Sequence, residues 1–231
     1  MKRYKRILYI LIVPFLMVLA GCERVYESEG LSRITEYAAI TLNGETEMFL
    51  KQGEAYNEEG ATTETGDPVT ISGEVDVNTP GVYTVTYSAV NVDGYAANET
   101  RTVYVSNVGD FQPSIEGFYV SNVARVSPAE DYEGLQYMLI SKTGENTYTI
   151  SDALGGFYSL GRAYGDLYNG SGVVITDNGG GNYSFQDGTV VGFDDTVSIK
   201  SLQIDPATKT ITLSAVFSGY TFNSTLEQVQ Y

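Results

Sequence analysis

The sequence predicts an all-β chain, in which a first sandwich-type module is followed by an antiparallel meander that closes like a barrel or packs as a second sandwich. Three observations carry this. Apolar and polar residues alternate with period two over 82–89, 100–105 and 211–217, which sends them to opposite faces of half-buried strands. Short turn signals, among them Asn43-Gly44, Asp93-Gly94 and Ser218-Gly219, separate the alternating runs. From Gly117 onward no run sustains a long helical period.

The amino-terminal segment comes first. Lys2, Arg3, Lys5 and Arg6 precede an apolar run over 7–20, then Gly21 and Cys22. About 14 apolar residues fall short of the roughly 20 that a spanning helix needs, so the run reads as a secretory signal over residues 1–21. Leu19-Ala20-Gly21-Cys22 resembles the bacterial lipobox. The resemblance implies that the Cys22 sulfur is acylated and holds the chain to a membrane, which takes more than one acyl chain to be stable. Residue 23 is Glu where the inner-membrane retention signal of such lipoproteins has Asp, which favours the outer membrane, and Glu27 and Glu29 resemble the acidic stretch that sends lipoproteins to the cell surface. Residues 22–37 lack periodicity and read as a flexible tether.

Composition limits the chemistry. The 231 residues carry 29 acidic and 13 basic side chains, a formal charge of −16, with no His, no Trp and one Cys. Residues 1–21 hold four of the 13 basic residues and no acid, so the exported part has nine against 29 and a charge of −20. Such a surface repels phosphate backbones, and nucleic acid is not an expected partner. The absence of His excludes a Ser-His-Asp relay and an imidazole metal site. With Cys22 consumed as the anchor, no thiol remains for catalysis or metal binding. No cofactor and no catalytic residue are expected.

Residues 38–105 form the first module, with strands expected at 39–42, 48–50, 82–89 and 100–105 and a turn at Thr79-Pro80-Gly81 in which Gly81 takes positive φ. Gly53-Glu54-Ala55-Tyr56, Gly60-Ala61-Thr62 and the block from Val77-Asn78-Thr79-Pro80-Gly81 through Val92-Asp93-Gly94 resemble the bacterial surface Ig-like, hyalin-repeat-like domain. That resemblance implies an Ig-like β-sandwich acting chiefly as a spacer between anchor and working domain. Residues 106–114 read as a linker too short to give the two modules independence.

Residues 115–231 form the second module, with about eight short strands joined by tight turns at Gly144-Glu145-Asn146, Asn178-Gly179-Gly180-Gly181, Asp205-Pro206-Ala207-Thr208 and Ser218-Gly219. One stretch breaks the rhythm. Residues 152–170 set Phe157, Tyr158, Tyr164 and Tyr168 and the single Arg162 among glycines. Flat rings with polar tips suit stacking on sugars, and a guanidinium offers a fork of donors to hydroxyls or to a uronic acid carboxylate. Leu160, Ala163, Tyr164, Leu167 and Tyr168 also fall on one helical stripe, so the same segment reads as a short amphipathic helix plugging one end of the module. Gly155-Gly156-Phe157-Tyr158, Gly161-Arg162-Ala163-Tyr164-Gly165 and Tyr168, with Asp205-Pro206-Ala207-Thr208, resemble the C-terminal domain of uncharacterised lipoproteins from polysaccharide-utilising gut bacteria. The resemblance implies a polysaccharide or oligosaccharide ligand and the company of an outer-membrane transporter complex. A scaffold subunit without a ligand of its own is the alternative, and glycoside hydrolysis a third reading. Asp177-Asn178-Gly179-Gly180-Gly181-Asn182 lacks the ligand ladder of a Ca²⁺ loop, and Asp194-Asp195 point to opposite faces of a strand, unlike a glycosidase pair.

Overall fold

In this computed structural model residues 37–112 and 114–231 are described; Cys22 and its flanking lipobox lie outside them. The chain is all-β. In the first module β1 (Ile40–Leu42) pairs antiparallel with β3 (Ala61–Thr63), while β2 (Glu47–Leu50), β4 (Val69–Ser72), β5 (Gly81–Val90) and β6 (Ala96–Val105) form one sheet in the order β2-β6-β5-β4. Strand β2 runs parallel to β6, with Glu47 opposite Thr102 and Leu50 opposite Val105. The β5–β6 hairpin turns at 91–95, where Asn91 Oδ1 accepts the N–H groups of Asp93 and Tyr95 at 3.1 and 2.8 Å. Alternation on β5 buries Val85, Tyr87 and Ala89 and leaves Thr84 and Val90 toward water. Gly81 does not take positive φ. The turn before β5 closes earlier, at Asp76, whose carboxylate accepts from the Asn78 N–H and the Thr79 hydroxyl at 3.0 and 2.7 Å, so Gly81 is the first extended residue of the strand.

The apolar core of this module is small. Leu50, Val103 and Val105 anchor it, with Met48, Tyr56, Val75, Val77 and Tyr83 packed around them. An ionic centre holds the other end. Arg101 on β6 is fully buried, donates from Nε to the Glu45 carbonyl at 2.9 Å and from Nη1 to Glu58 at 2.9 Å, and also reaches the Asn43 carbonyl. Glu58 in turn accepts from the Tyr87 hydroxyl at 2.6 Å and from the Tyr56 hydroxyl. A buried guanidinium needs this many partners to offset its desolvation.

The second module contains β7 (Gly117–Arg125), β8 (Glu130–Lys142), β9 (Thr147–Ile150), β10 (Gly170–Ser171), β11 (Val174–Asp177), β12 (Tyr183–Gln186), β13 (Gly188–Val190), β14 (Asp195–Asp205), β15 (Thr210–Phe217) and β16 (Tyr220–Gln228). They form one antiparallel sheet in the order β10-β13-β14-β15-β16-β7-β8-β9-β11-β12. The sheet curls into a half-barrel until β12 lies against β14 across the interior. Bulges in β14 and β8 sharpen the bend. Strands β15 and β16 are joined by a two-residue turn at Ser218 and Gly219, both at positive φ, as a right-twisted hairpin requires. Inward positions such as Ile211, Leu213, Ala215, Phe217, Phe222 and Leu226 are buried, each large one contributing about 1.5–3 kcal/mol.

The stretch 106–114 does more than connect. Phe111 is buried beside Tyr119, and the Gly109 N–H donates to the Glu116 carbonyl at 2.8 Å. The two modules meet through five rings. Phe49 and Tyr104 stack at 4.7 Å and face Phe118, Tyr137 and Tyr231, with Tyr104 and Tyr137 4.8 Å apart and Phe49 and Tyr231 5.0 Å apart. The Tyr231 hydroxyl donates to the Ser106 carbonyl at 2.9 Å. Burial pushes the Tyr104 and Tyr231 hydroxyls up to about 12.

Candidate functional site

The stretch 152–170 fills one end of the half-barrel. Asp152 clamps its two ends: Oδ1 accepts from the N–H groups of Leu154 and Gly170 at 2.8 and 2.9 Å, and Oδ2 from the Ser159 hydroxyl at 2.8 Å. Burial pushes the Asp152 carboxyl above the usual carboxylate range against these hydrogen bonds. Gly155 follows at φ +62, and a Cβ there would strike the Ser224 and Ser121 hydroxyls, so the backbone approach to β16 and β7 demands glycine. A π-turn then runs over Phe157–Gly161, with the Arg162 N–H donating to the Phe157 carbonyl at 3.0 Å. Ala163 at φ +55 and Gly165 at φ +89 break the chain out of that turn before a 3₁₀ turn at Asp166–Tyr168. The single helical stripe expected over 160–168 is therefore two separate turns.

This geometry sorts the expected ligand-binding residues. Phe157 is wholly buried, 4.9 Å from Phe222 and 5.2 Å from Tyr132, and belongs to the core. Tyr158 is also buried, with its ring against Phe193 and Phe217. Tyr164 is 49% exposed and lies over Tyr158 at 6.1 Å. Tyr168 is half-buried, 5.2 Å from Tyr164 and 4.8 Å from Phe193. Arg162 is not available to a ligand carboxylate. It forks onto Glu130, with Nε 3.1 Å from Oε1 and Nη2 on Oε2, while its guanidinium sits 5.3 Å from Phe157 and 5.4 Å from Tyr158. Glu130 also accepts from Arg125 at 2.7 Å and from the Tyr132 hydroxyl at 2.6 Å. The hydrogen bond from Arg162, then that from Tyr132, holds the Glu130 carboxyl down to about 2, and the same pairing raises the Arg162 guanidinium.

Leu167 of the expected stripe, and Val191 and Phe193, which the sequence does not single out, complete the surface. Leu167, Val191 and Phe193 are exposed on the two adjoining turns next to Tyr164, with the Phe193 ring 6.5 Å from that of Tyr164, and form with it an apolar and aromatic patch, while Leu160, also exposed, faces the neighbouring groove. Phe193 comes from the 3₁₀ turn Val191–Phe193, where a Cβ on Gly192 would meet the Tyr168 ring at 2.7 Å. Asp166, Asp194 and Asp195 lie in or next to the turns that form the patch and are exposed. Such a surface can stack flat rings and their apolar faces against Tyr164 and Phe193, and it offers no unpaired guanidinium to an anion. The glycine-rich 178–182 is a hairpin tip, closed by the Asn178 N–H donating to the Asn182 carbonyl at 2.9 Å. Among the described residues no group of three or more Cys, Asp or Glu side chains gathers as a metal site.

Comparison with known proteins agrees with this architecture. The model of the bacterial surface protein Ig-like domain matches residues 40–105, and a family model of a C-terminal domain matches residues 108–228. No curated protein matches the chain. The crystal structure of the lipoprotein BT2262 from Bacteroides thetaiotaomicron is similar at 30% identity and a TM-score of 0.65, over 83% of this chain and 100% of that one. An Ig-like domain followed by a curled sheet with its end plugged, matched along the whole of that lipoprotein, places the chain in the BT2262-like family of cell-envelope lipoproteins.

Proposed function

We propose that the protein is a non-enzymatic lipoprotein of the outer-membrane surface, anchored through Cys22, that holds a glycan for a polysaccharide uptake system. The observation that carries the reading is the exposed patch of Tyr164, Phe193, Leu167 and Val191 on an otherwise acidic molecule. Rings left exposed on a rigid base, here Tyr158, Phe217 and Phe222, are pre-positioned to stack on sugars without an ordering cost. The exported chain carrying Cys22→Ser is expected to be retained on at least one polysaccharide in an affinity-gel panel. Tyr164→Ala and Phe193→Ala should each weaken retention roughly tenfold, the scale of a lost stacking contact and its buried area. Retention on none, or retention untouched by both variants, overturns the reading. The aliphatic members Leu167 and Val191 favour a second reading, a scaffold subunit of an outer-membrane importer. It predicts co-purification with a transporter, lost in Leu167→Glu, and no glycan retention.

A further inference from the structure

A groove of about 350 Å³ runs between the two modules, walled by Val82 and Tyr104 on one side and by Gln136, Tyr137, Asp166 and Asn169 on the other. Asp166 and Asn169 belong to the stretch 152–170, so the segment that carries the aromatic patch also supplies one wall of this groove. Its walls are fixed: Tyr104 and Tyr137 are two of the five rings that lock the modules together. Val82 is 53% exposed and presents an apolar face from the Ig-like module.

The lining has unused hydrogen-bonding capacity. Among the described residues the side chains of Gln136, Asp166 and Asn169 make no hydrogen bond within the chain. Two amides supply four N–H donors and two acceptors, and the carboxylate adds acceptors only. No Lys or Arg lines the groove. Rings with an apolar wall, spare donors and acceptors of both kinds, and a carboxylate without a cation match an uncharged polyhydroxylated ligand. They disfavour one bearing carboxylates or sulfates, which Asp166 would repel. The volume lies at the low end for small-ligand clefts.

We propose that this groove is a binding site for one or two rings of a neutral oligosaccharide, and that the Ig-like module is part of the binding surface through Val82 and Tyr104 as well as a spacer. The ligand class rests on the glycan reading of the patch; the location does not. The test is calorimetric titration of the exported Cys22→Ser chain with neutral malto-, xylo- and manno-oligosaccharides and with an oligogalacturonate. The double variant Gln136→Ala/Asn169→Ala and the single variant Val82→Glu, both at exposed or half-buried positions, are compared with Tyr164→Ala and Phe193→Ala. At least one neutral oligomer is expected to bind more tightly than the uronate, and both groove variants should weaken it roughly tenfold, the double variant through two neutral hydrogen bonds lost and Val82→Glu through the loss of its apolar wall. Binding that is lost in the patch variants and unchanged in both groove variants supports the patch and overturns the groove. Loss in the groove variants alone supports the groove and removes the patch. Tighter uronate binding, or no binding of any oligomer, overturns the groove proposal.

Discussion

Asp152 on the plug and Glu130 on β8, which the plug reaches through Arg162, are two carboxylates with opposite electrostatics. Asp152 is buried, and its protonated form is favoured in the folded chain. Its contribution is therefore full below the ordinary carboxylate range and is lost as pH rises through the elevated value. Glu130 is held down to about 2 by Arg162 and Tyr132, so its contribution is full above about 4.5 and is lost as pH falls toward 2. Unfolding midpoints followed from pH 6 to pH 2 should fall less in Glu130→Gln than in the parent chain. Asp152→Ala leaves the N–H groups of Leu154 and Gly170 and the Ser159 hydroxyl unpaired in the interior and should cost about 3 kcal/mol in urea unfolding. At this scale the sequence was only half informative. Tyr164 stood out only as one of four rings among glycines, with nothing local to tell it from the buried Phe157 and Tyr158, and the commitment of Arg162 to Glu130, 32 residues away, is a tertiary fact that no local pattern records. Phe193 escaped for a related reason: Val191-Gly192-Phe193 lacks any period, and it is Tyr168 packing on Gly192 that presents the ring. Nor does any pattern mark Arg101 as buried; its partners come from segments more than 40 residues distant.

The long strands were legible because each carries its own alternation, and β5, β6 and β15 extend over the runs that predicted them. Short strands such as β3, β10 and β13 were not, since two or three residues hold too little pattern and owe their pairing to neighbours. The plug shows how a helical stripe fails. Gly155, Gly156, Ala163 and Gly165 all take positive φ, which no continuous helix tolerates, and the stripe residues divide, with Tyr168 against the core, Tyr164 and Leu167 in the patch and Leu160 lining the groove. Gly155→Ala forces a Cβ against Ser224 at a left-handed backbone position. It should destabilise the chain by about 1–3 kcal/mol in denaturant titration and raise amide exchange across 152–170. Arg101→Ala, which strips Glu58 and two carbonyls of their partner, should cost about 3–5 kcal/mol by the same measurement.

On the scale of the molecule the five-ring junction decides whether the modules act together. Phe49 touches Tyr104, Phe118, Tyr137 and Tyr231, and its removal leaves the small first core with little cross-support. Scanning calorimetry should show one transition for the parent chain and two, the first at lower temperature, for Phe49→Ala. The parallel pairing of β2 with β6 has a mechanical meaning for a tethered protein. Tension between the anchor and the second module enters at the Glu47 end of β2 and leaves at the Val105 end of β6. In that loading direction the four paired residues of β2 slide along β6, so their bonds bear force together instead of opening one at a time. A load on the far module would fall on a shear clamp, and stretching between residues 23 and 231 should meet its tallest force peak there.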